Sequence, residues 1–215
     1  MSFDAPNSAI DICNLALIEL KQESVVQLNP PSTQVEQIMA LEYHQVRRAV
    51  LRKHTWNFAI KRAALTPSSD VTPEFGFSHG YILPNDFIRF VGIYNSEGEL
   101  IDKAYYDIED GNIYYNGEDN TAINIRYIYD LDQVSKFDPL FIDMFKLELA
   151  VAVAPKFSGT EARQSALIKR LETVSAEAKS IDGQERPPQR RQRSQWLDRR
   201  RNYPTRLADG FTRFS

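Results

Sequence analysis

Apolar residues along this chain recur at helical spacing, then at alternate positions, then at helical spacing again. Residues 8–20, SAIDICNLALIEL, open on a serine and continue with densely spaced apolar positions, which predicts a helix. Pro30 and Pro31 break the helical pattern, and Ser32 or Thr33 can cap the next element. A second helix is predicted from about Ser32 to His54, because Val35, Met39, Tyr43, Val46 and Val50 step along one side of a cylinder. Arg47, Arg48, Arg52 and Lys53 lie around its end, where cations suit the negative pole of the helix dipole.

After Pro67 the pattern changes. TPSSDVTPEFGFSHG reads as a long loop by its Pro, Ser and Gly content. The runs YIL, FIRFVGIY, ELIDKAYY, NIYYNG and AINIRYIYD then read as strands, separated by NSEG, EDG and NGEDN. Alternation is clearest in the last run, where Ile123, Ile125, Tyr127 and Tyr129 face one way and Asn124 and Arg126 the other. Helices return at DPLFIDMFKLELAVAVAPKF, with Asp138 as N-cap and Pro139 at the first helical position. Its apolar residues cover nearly the whole circumference, so a central, buried helix is expected. A fourth helix comes after SGT, with Leu167, Leu171, Val174, Ala178 and Ile181 on its apolar side. Past DGQERPP no periodicity survives.

The expected fold is α+β: a four-helix bundle-like body carrying a small, mostly antiparallel β insertion between helices 2 and 3, plus an extended C-terminal arm. The expected boundaries are 1–66 and 136–182 for the body, 67–135 for the insertion and 183–215 for the arm.

Charge sharpens this division. From Gly183 to Ser215 there are nine Arg, no Lys and three acids, a net of +6, which leaves 17 bases and 26 acids in residues 1–182, a net of −9. The arm interleaves Arg190, Arg191, Arg193, Arg199, Arg200 and Arg201 with Trp196, Tyr203, Phe211 and Phe214. Arginine with aromatics can bind nucleic acid through phosphates and stacking. It can also dock an extended arm onto an acidic partner, and a solvated tail is the third reading. Disordered tails are poor in aromatics, which favours the docking arm.

Little in the chain points to chemistry. The lone Cys13 lies among Ile12, Leu15 and Leu17, as a small buried residue does. His44, His54 and His79 lack metal-ligand spacing, and neither a phosphate-cradling Gly-rich loop nor a G-x-S-x-G elbow occurs. Asp107, Glu109 and Asp110 cluster in a predicted hairpin; two well-placed acids suffice for glycan hydrolysis, so that reading stays open. No cofactor, metal or catalytic residue is expected. No secretory signal or membrane-spanning run is read from the sequence.

Two segments remain. RKHTWNFAIKRAALTP, Arg52 to Pro67, sets Trp56 and Phe58 among five cations; a nucleic-acid grip, a catalytic pocket and a packing junction all use such residues. The second is GYILPNDFIRFVGIY, with Tyr81, Pro84 and Phe87. Together they resemble the tail tubular protein A and head-to-tail adaptor family of short-tailed bacteriophages. The matching positions are Trp56, Phe58, Ala59, Lys61 and Arg62, then Tyr81, Leu83, Pro84, Asp86, Phe87 and Arg89, and the likeness spans about residues 8–182. The apolar helix FDPLFIDMFKLELAVAVAPKFSG agrees as well.

The resemblance implies a structural virion protein, and with no catalytic residues to place the chain is expected not to be an enzyme. It implies a twelve-subunit ring beneath the portal protein that receives a tail nozzle of the tail tubular protein B kind. Such a ring sits at the head–tail junction of the virion, after assembly in the host cytoplasm, and lets DNA pass during ejection without binding it specifically. In related adaptors the C-terminal segment reaches up along the portal. Rival readings are a muralytic or capsule-glycan-degrading tail enzyme and a nucleic-acid-binding module. Within this frame Trp56 and Phe58 are expected to plug the joint between the second helix and the sheet, the indole N–H bonding backbone and the surrounding cations projecting outward.

Overall fold

The computed structural model describes residues 6, 8–95, 98–117, 122–157 and 161–185. The chain divides into two units, residues 1–185 and 186–215, and the second lies outside the described residues. Among the described residues there are four α-helices and six strands: α1 (Ala9–Leu20), α2 (Gln34–Lys53), β1 (Ile60–Leu65), β2 (His79–Ile82), β3 (Phe87–Tyr94), β4 (Tyr106–Glu109), β5 (Asn112–Tyr115), β6 (Ile123–Tyr129), α3 (Pro139–Val153) and α4 (Glu161–Gln184).

Local chemistry explains where the helices begin. Ser8 and Asp11 form a reciprocal capping box at α1, and Thr33 and Glu36 form another at α2. Asp138 accepts from the backbone N–H groups of Leu140 and Phe141, while Pro139 fills a position that needs no donor. Met39, Tyr43, Val46 and Val50 of α2 are buried. The all-round apolar α3 is the central helix, packed against α1, α2 and α4, with Phe141, Met144, Phe145, Leu147, Leu149, Ala150 and Val153 buried.

The strands form two three-stranded sheets, ordered β1–β6–β3 and β2–β5–β4, and every pairing within them is antiparallel. This corrects the expectation of a helix bundle bearing a single β insertion. Strand β1 lies before Pro67, inside the stretch assigned to the body, and pairs with β6 about sixty positions later, Ile60 opposite Ile128 and Leu65 opposite Ile123. Lys61, Arg62, Ala63 and Ala64 hide its alternation, and a pairing that distant leaves no local signature. The β4–β5 hairpin is legible by contrast. Asp110 (φ 45°) and Gly111 (φ 73°) take the left-handed conformations that a two-residue turn between twisted strands requires.

The β1–β6–β3 sheet serves two cores. One face, with Ile93, Ile123, Ile125 and Tyr127, shares a core with Tyr81, Leu83 and Ile113 of the second sheet and its flank. The other face is divided along its length. At one end Ile60, Ile88 and Ile128 join the helical core, and at the other Arg62, Ala64, Asn124 and Arg126 leave it. Strand β6 is therefore buried on both sides near Ile128, and two register shifts in β3 bend that strand over the helices. Where the loop after β1 crosses β2, Ser68 N–H donates to the Gly80 carbonyl; a Cβ at Gly80 would meet the Val71 carbonyl oxygen at 2.0 Å, so only glycine fits.

Glu36 ties the loop before α2 to the helix. Its carboxylate accepts from the Ser32 hydroxyl and from the backbone N–H groups of Ser32, Thr33, Val26 and Gln27. Those bonds, the Ser32 hydroxyl foremost, bring its pKa down from 4.5 to about 2 against the opposing effect of burial. A depressed carboxylate stabilises the fold above its unfolded pKa, and that stability is lost as pH falls through the folded one. Glu36→Gln should therefore remove part of the loss of stability between pH 4.5 and about 2, as read by denaturant titrations across that range. An unchanged acid limb would show that Glu36 does not anchor this loop.

Candidate functional site

The candidate site is the joint where α2 hands over to β1. Trp56 is 1% exposed, and its indole N–H donates to the Val50 carbonyl at 3.1 Å, closing the end of α2. Around it stand His54 (ring centres 4.8 Å), Phe141 (5.1 Å) and Phe58 (6.0 Å), and Phe58 reaches Phe141 and Phe137 in turn. Most of these pairs meet edge-on or tilted, as aromatic quadrupoles prefer. Phe145 extends the chain of rings toward Tyr43 of α2.

A ring of polar ties surrounds this apolar knot. The carboxylate of Asp182 is nearly buried on α4; it accepts from the Asn57 backbone N–H at 2.8 Å and lies 3.0 Å from His54 Nε2. The Asn57 side-chain amide donates to the Asp182 carbonyl at 2.8 Å. Ile181, placed by its spacing on the apolar side, is instead 38% exposed, and the next residue turns inward because the joint offers donors that only an acceptor can satisfy. Further back along α2, Arg47 is buried and holds Asp130 Oδ1 at 2.6 Å, while Arg48 Nε lies 3.5 Å from Asp130 Oδ2.

The Trp56 and Tyr81 segments, far apart in the chain, meet here. Arg52 Nη1 donates to the Ile88 carbonyl at 2.5 Å, and Arg89 Nη1 donates to the Arg52 carbonyl at 3.2 Å. Lys61 Nζ donates to Asp86 Oδ2 at 2.7 Å, the Tyr127 hydroxyl donates to Oδ1 at 2.9 Å, and the Asp130 N–H donates to the Asp86 carbonyl at 2.7 Å. Burial pushes the Asp86 carboxyl up, but the hydrogen bonds from Lys61 and Tyr127 outweigh it and the net direction is down. Lys61 moves up, chiefly through its bond to Asp86. Burial first and Asp86 second raise Tyr127 to about 12. Tyr81 is fully buried, Phe87 stacks on Tyr127 at 6.1 Å, and the Pro84 carbonyl accepts from the Phe87 N–H at 3.0 Å to turn the chain into β3.

Of the five cations around Trp56, Arg52, Lys53, Lys61 and Arg62 are exposed, as expected of side chains that project outward, and His54 is half-buried. Arg52, Lys53, His54 and Lys61 are tied to Ile88, Glu148, Asp182 and Asp86. Arg62 has no such tie among the described residues. It borders a shallow groove of about 400 Å³ on the free end of the β1–β6–β3 sheet, with Ala64, Tyr94, Asn124 and Arg126. By periodicity Asn124 and Arg126 form an ordinary solvent face, because only cross-strand register sets Arg126 beside Arg62. Asp130 and Asp182 went unnoticed in the sequence for a related reason: they are single acids with no motif around them.

Other chemistry-bearing residues are dispersed. Cys13 is fully buried, and burial pushes its thiol up to about 12. Asp107, Glu109 and Asp110 are exposed on the β4–β5 hairpin. Among the described residues no group of three or more His, Cys, Asp or Glu is placed to hold a metal ion, and no helix is long and apolar enough to cross a membrane. The arm residues Arg190, Arg191, Arg193, Trp196, Arg199, Arg200, Arg201, Tyr203, Phe211 and Phe214 lie outside the described residues.

Compared with known families and curated proteins, the chain matches no family model and no curated sequence.

Trp56→Ala should lower unfolding stability by about 3–5 kcal/mol, the range for truncating a large, fully enclosed aromatic. Chemical denaturation of the two chains checks this, and coincident curves would mean that the joint does not depend on the indole.

Proposed function

We propose that the chain is a structural virion protein, an adaptor whose copies form a ring between the portal and the tail nozzle of a short-tailed bacteriophage. The observation that carries this reading is the junction itself. Positions matching the adaptor family in two separate segments fasten directly to one another, Lys61 to Asp86 and Arg89 to the backbone just ahead of Trp56. A packing joint gives these residues a purpose without requiring that any of them react.

Charge distribution supports the same reading. Residues 1–182 carry a net charge of −9 and residues 183–215 a net of +6. An acidic body repels passing phosphates, which suits a conduit that must not hold the genome during ejection. A cationic, aromatic arm suits attachment to an acidic portal surface. The ring requires only that each subunit present two different, complementary faces and that the rotation between copies close. Twelve copies, the portal above and the nozzle below come from the family resemblance.

Deleting residues 183–215 should leave a chain with the far-ultraviolet dichroism of a folded body that no longer attaches to portal rings in negative-stain electron microscopy. Normal attachment by the truncated chain would contradict the role given to the arm. The full-length chain should leave no clearing in peptidoglycan or capsule zymograms, and a cleared band would turn the reading toward a glycan-cleaving enzyme.

A further inference from the structure

The groove at the free end of the β1–β6–β3 sheet contains an arrangement that costs energy as it stands. Arg62 of β1 and Arg126 of β6 are directly opposed in the antiparallel register. Their Cα atoms are thus roughly 4.5–5.5 Å apart, and like charges so placed destabilise a sheet. Among the described residues neither arginine pairs with a carboxylate, and no Asp or Glu lines the groove. Arg126 Nε is buried without a hydrogen-bond partner. The Tyr94 ring holds the Arg126 guanidinium, 5.4 Å from its centre, at the groove wall. Around the joint Arg47, Lys53 and Lys61 each have a carboxylate, so two arginines with none among the described residues, side by side in a single groove, suit an anion that arrives from outside.

The same chain offers a matching group. On β4, Asp107 and Glu109 are alternate residues that project from one face about 7 Å apart, and Asp110 comes next at the turn. All three are exposed, and none lies within ion-pair distance of a cation among the described residues. A hairpin closed by two residues is a narrow element, and planar guanidinium forks bind carboxylates bidentately. We propose that the Arg62–Arg126 groove is one half of the contact between neighbouring copies, and that the acidic β4–β5 hairpin of the next copy is the other half. The contact is head-to-tail, because groove and hairpin are different surfaces, and it deepens the ring reading, on which it rests. Nucleic acid is the weaker occupant, since the −9 of residues 1–182 repels a phosphate chain before it reaches the groove.

Charge reversal tests this in the full-length chain. Arg62→Glu with Arg126→Glu reverses the groove, and Asp107→Lys with Glu109→Lys and Asp110→Lys reverses the hairpin. Each reversed chain alone should self-associate at least roughly tenfold more weakly in sedimentation velocity and should fail to complete rings on the portal. Mixing the two should restore assembly, because each then offers the charge the other lacks. Thermal melts check that each chain is folded, and Arg62→Ala with Arg126→Ala replaces the groove reversal if that chain does not fold.

Failure of the two charge-reversed chains to recover on mixing, or undiminished self-association of the alanine chain where it is used instead, overturns the pairing. Rings that form from each reversed chain alone as well as from the wild-type chain overturn this contact and leave the ring reading standing. A wild-type chain that stays monomeric alone and on the portal overturns both. Tight binding of a single-stranded oligonucleotide that the groove reversal abolishes assigns the groove to nucleic acid and overturns the proposal.

Discussion

The enclosure of Trp56 is the constraint on which the rest of the body depends. Its ring fills the space between the end of α2, the start of the sheet and the central helix α3, and its N–H satisfies a carbonyl that the end of α2 would otherwise leave without a partner. Full burial of an aromatic this size stabilises by roughly 1.5–3 kcal/mol or more through apolar area alone. The position matters as much as the area. Because the indole touches the helix it terminates and the helix it packs on, the direction in which β1 leaves α2 is set by packing rather than by a free turn.

That direction has consequences for the sheet. Strand β1 must run so that Ile60 faces the helical core, and antiparallel pairing then places Ile128 beside it and Arg62 beside Arg126. One sheet thereby closes the helical core at one end and presents a basic groove at the other. The polar ties around the joint, Asp86 with Lys61 and Tyr127, Asp130 with Arg47, and Asp182 with Asn57, hold the angle. The most enclosed of them, Asp182 and Arg47, are where a missing partner costs most.

Much of this was legible in residue order. Caps at Ser8, Thr33 and Asp138, the stripe on α2, the uniformly apolar α3 and the Asp110–Gly111 turn are local signals, read within a few residues of where they act. Trp56 could be read as a plug because it stands between a helical and a strand period. What residue order did not reveal was non-local. Strand β1 has too few large apolar residues to show its period, and its partner lies about sixty positions away. Asp182 interrupts an apolar stripe for the sake of donors on a different element, and the opposition of Arg62 to Arg126 exists only once register is fixed.

In the adaptor reading, a body of this kind works as a wedge whose faces keep their relative angle while neighbours, portal and nozzle press on them. That demands that the helical core and the two-sheet core yield together rather than separately, which sharing the β1–β6–β3 sheet provides. Differential scanning calorimetry of the full-length chain tests this most directly. The account predicts a single transition for the body, with equal calorimetric and van't Hoff enthalpies. Two resolved transitions, or a calorimetric enthalpy well above the van't Hoff one, would contradict it.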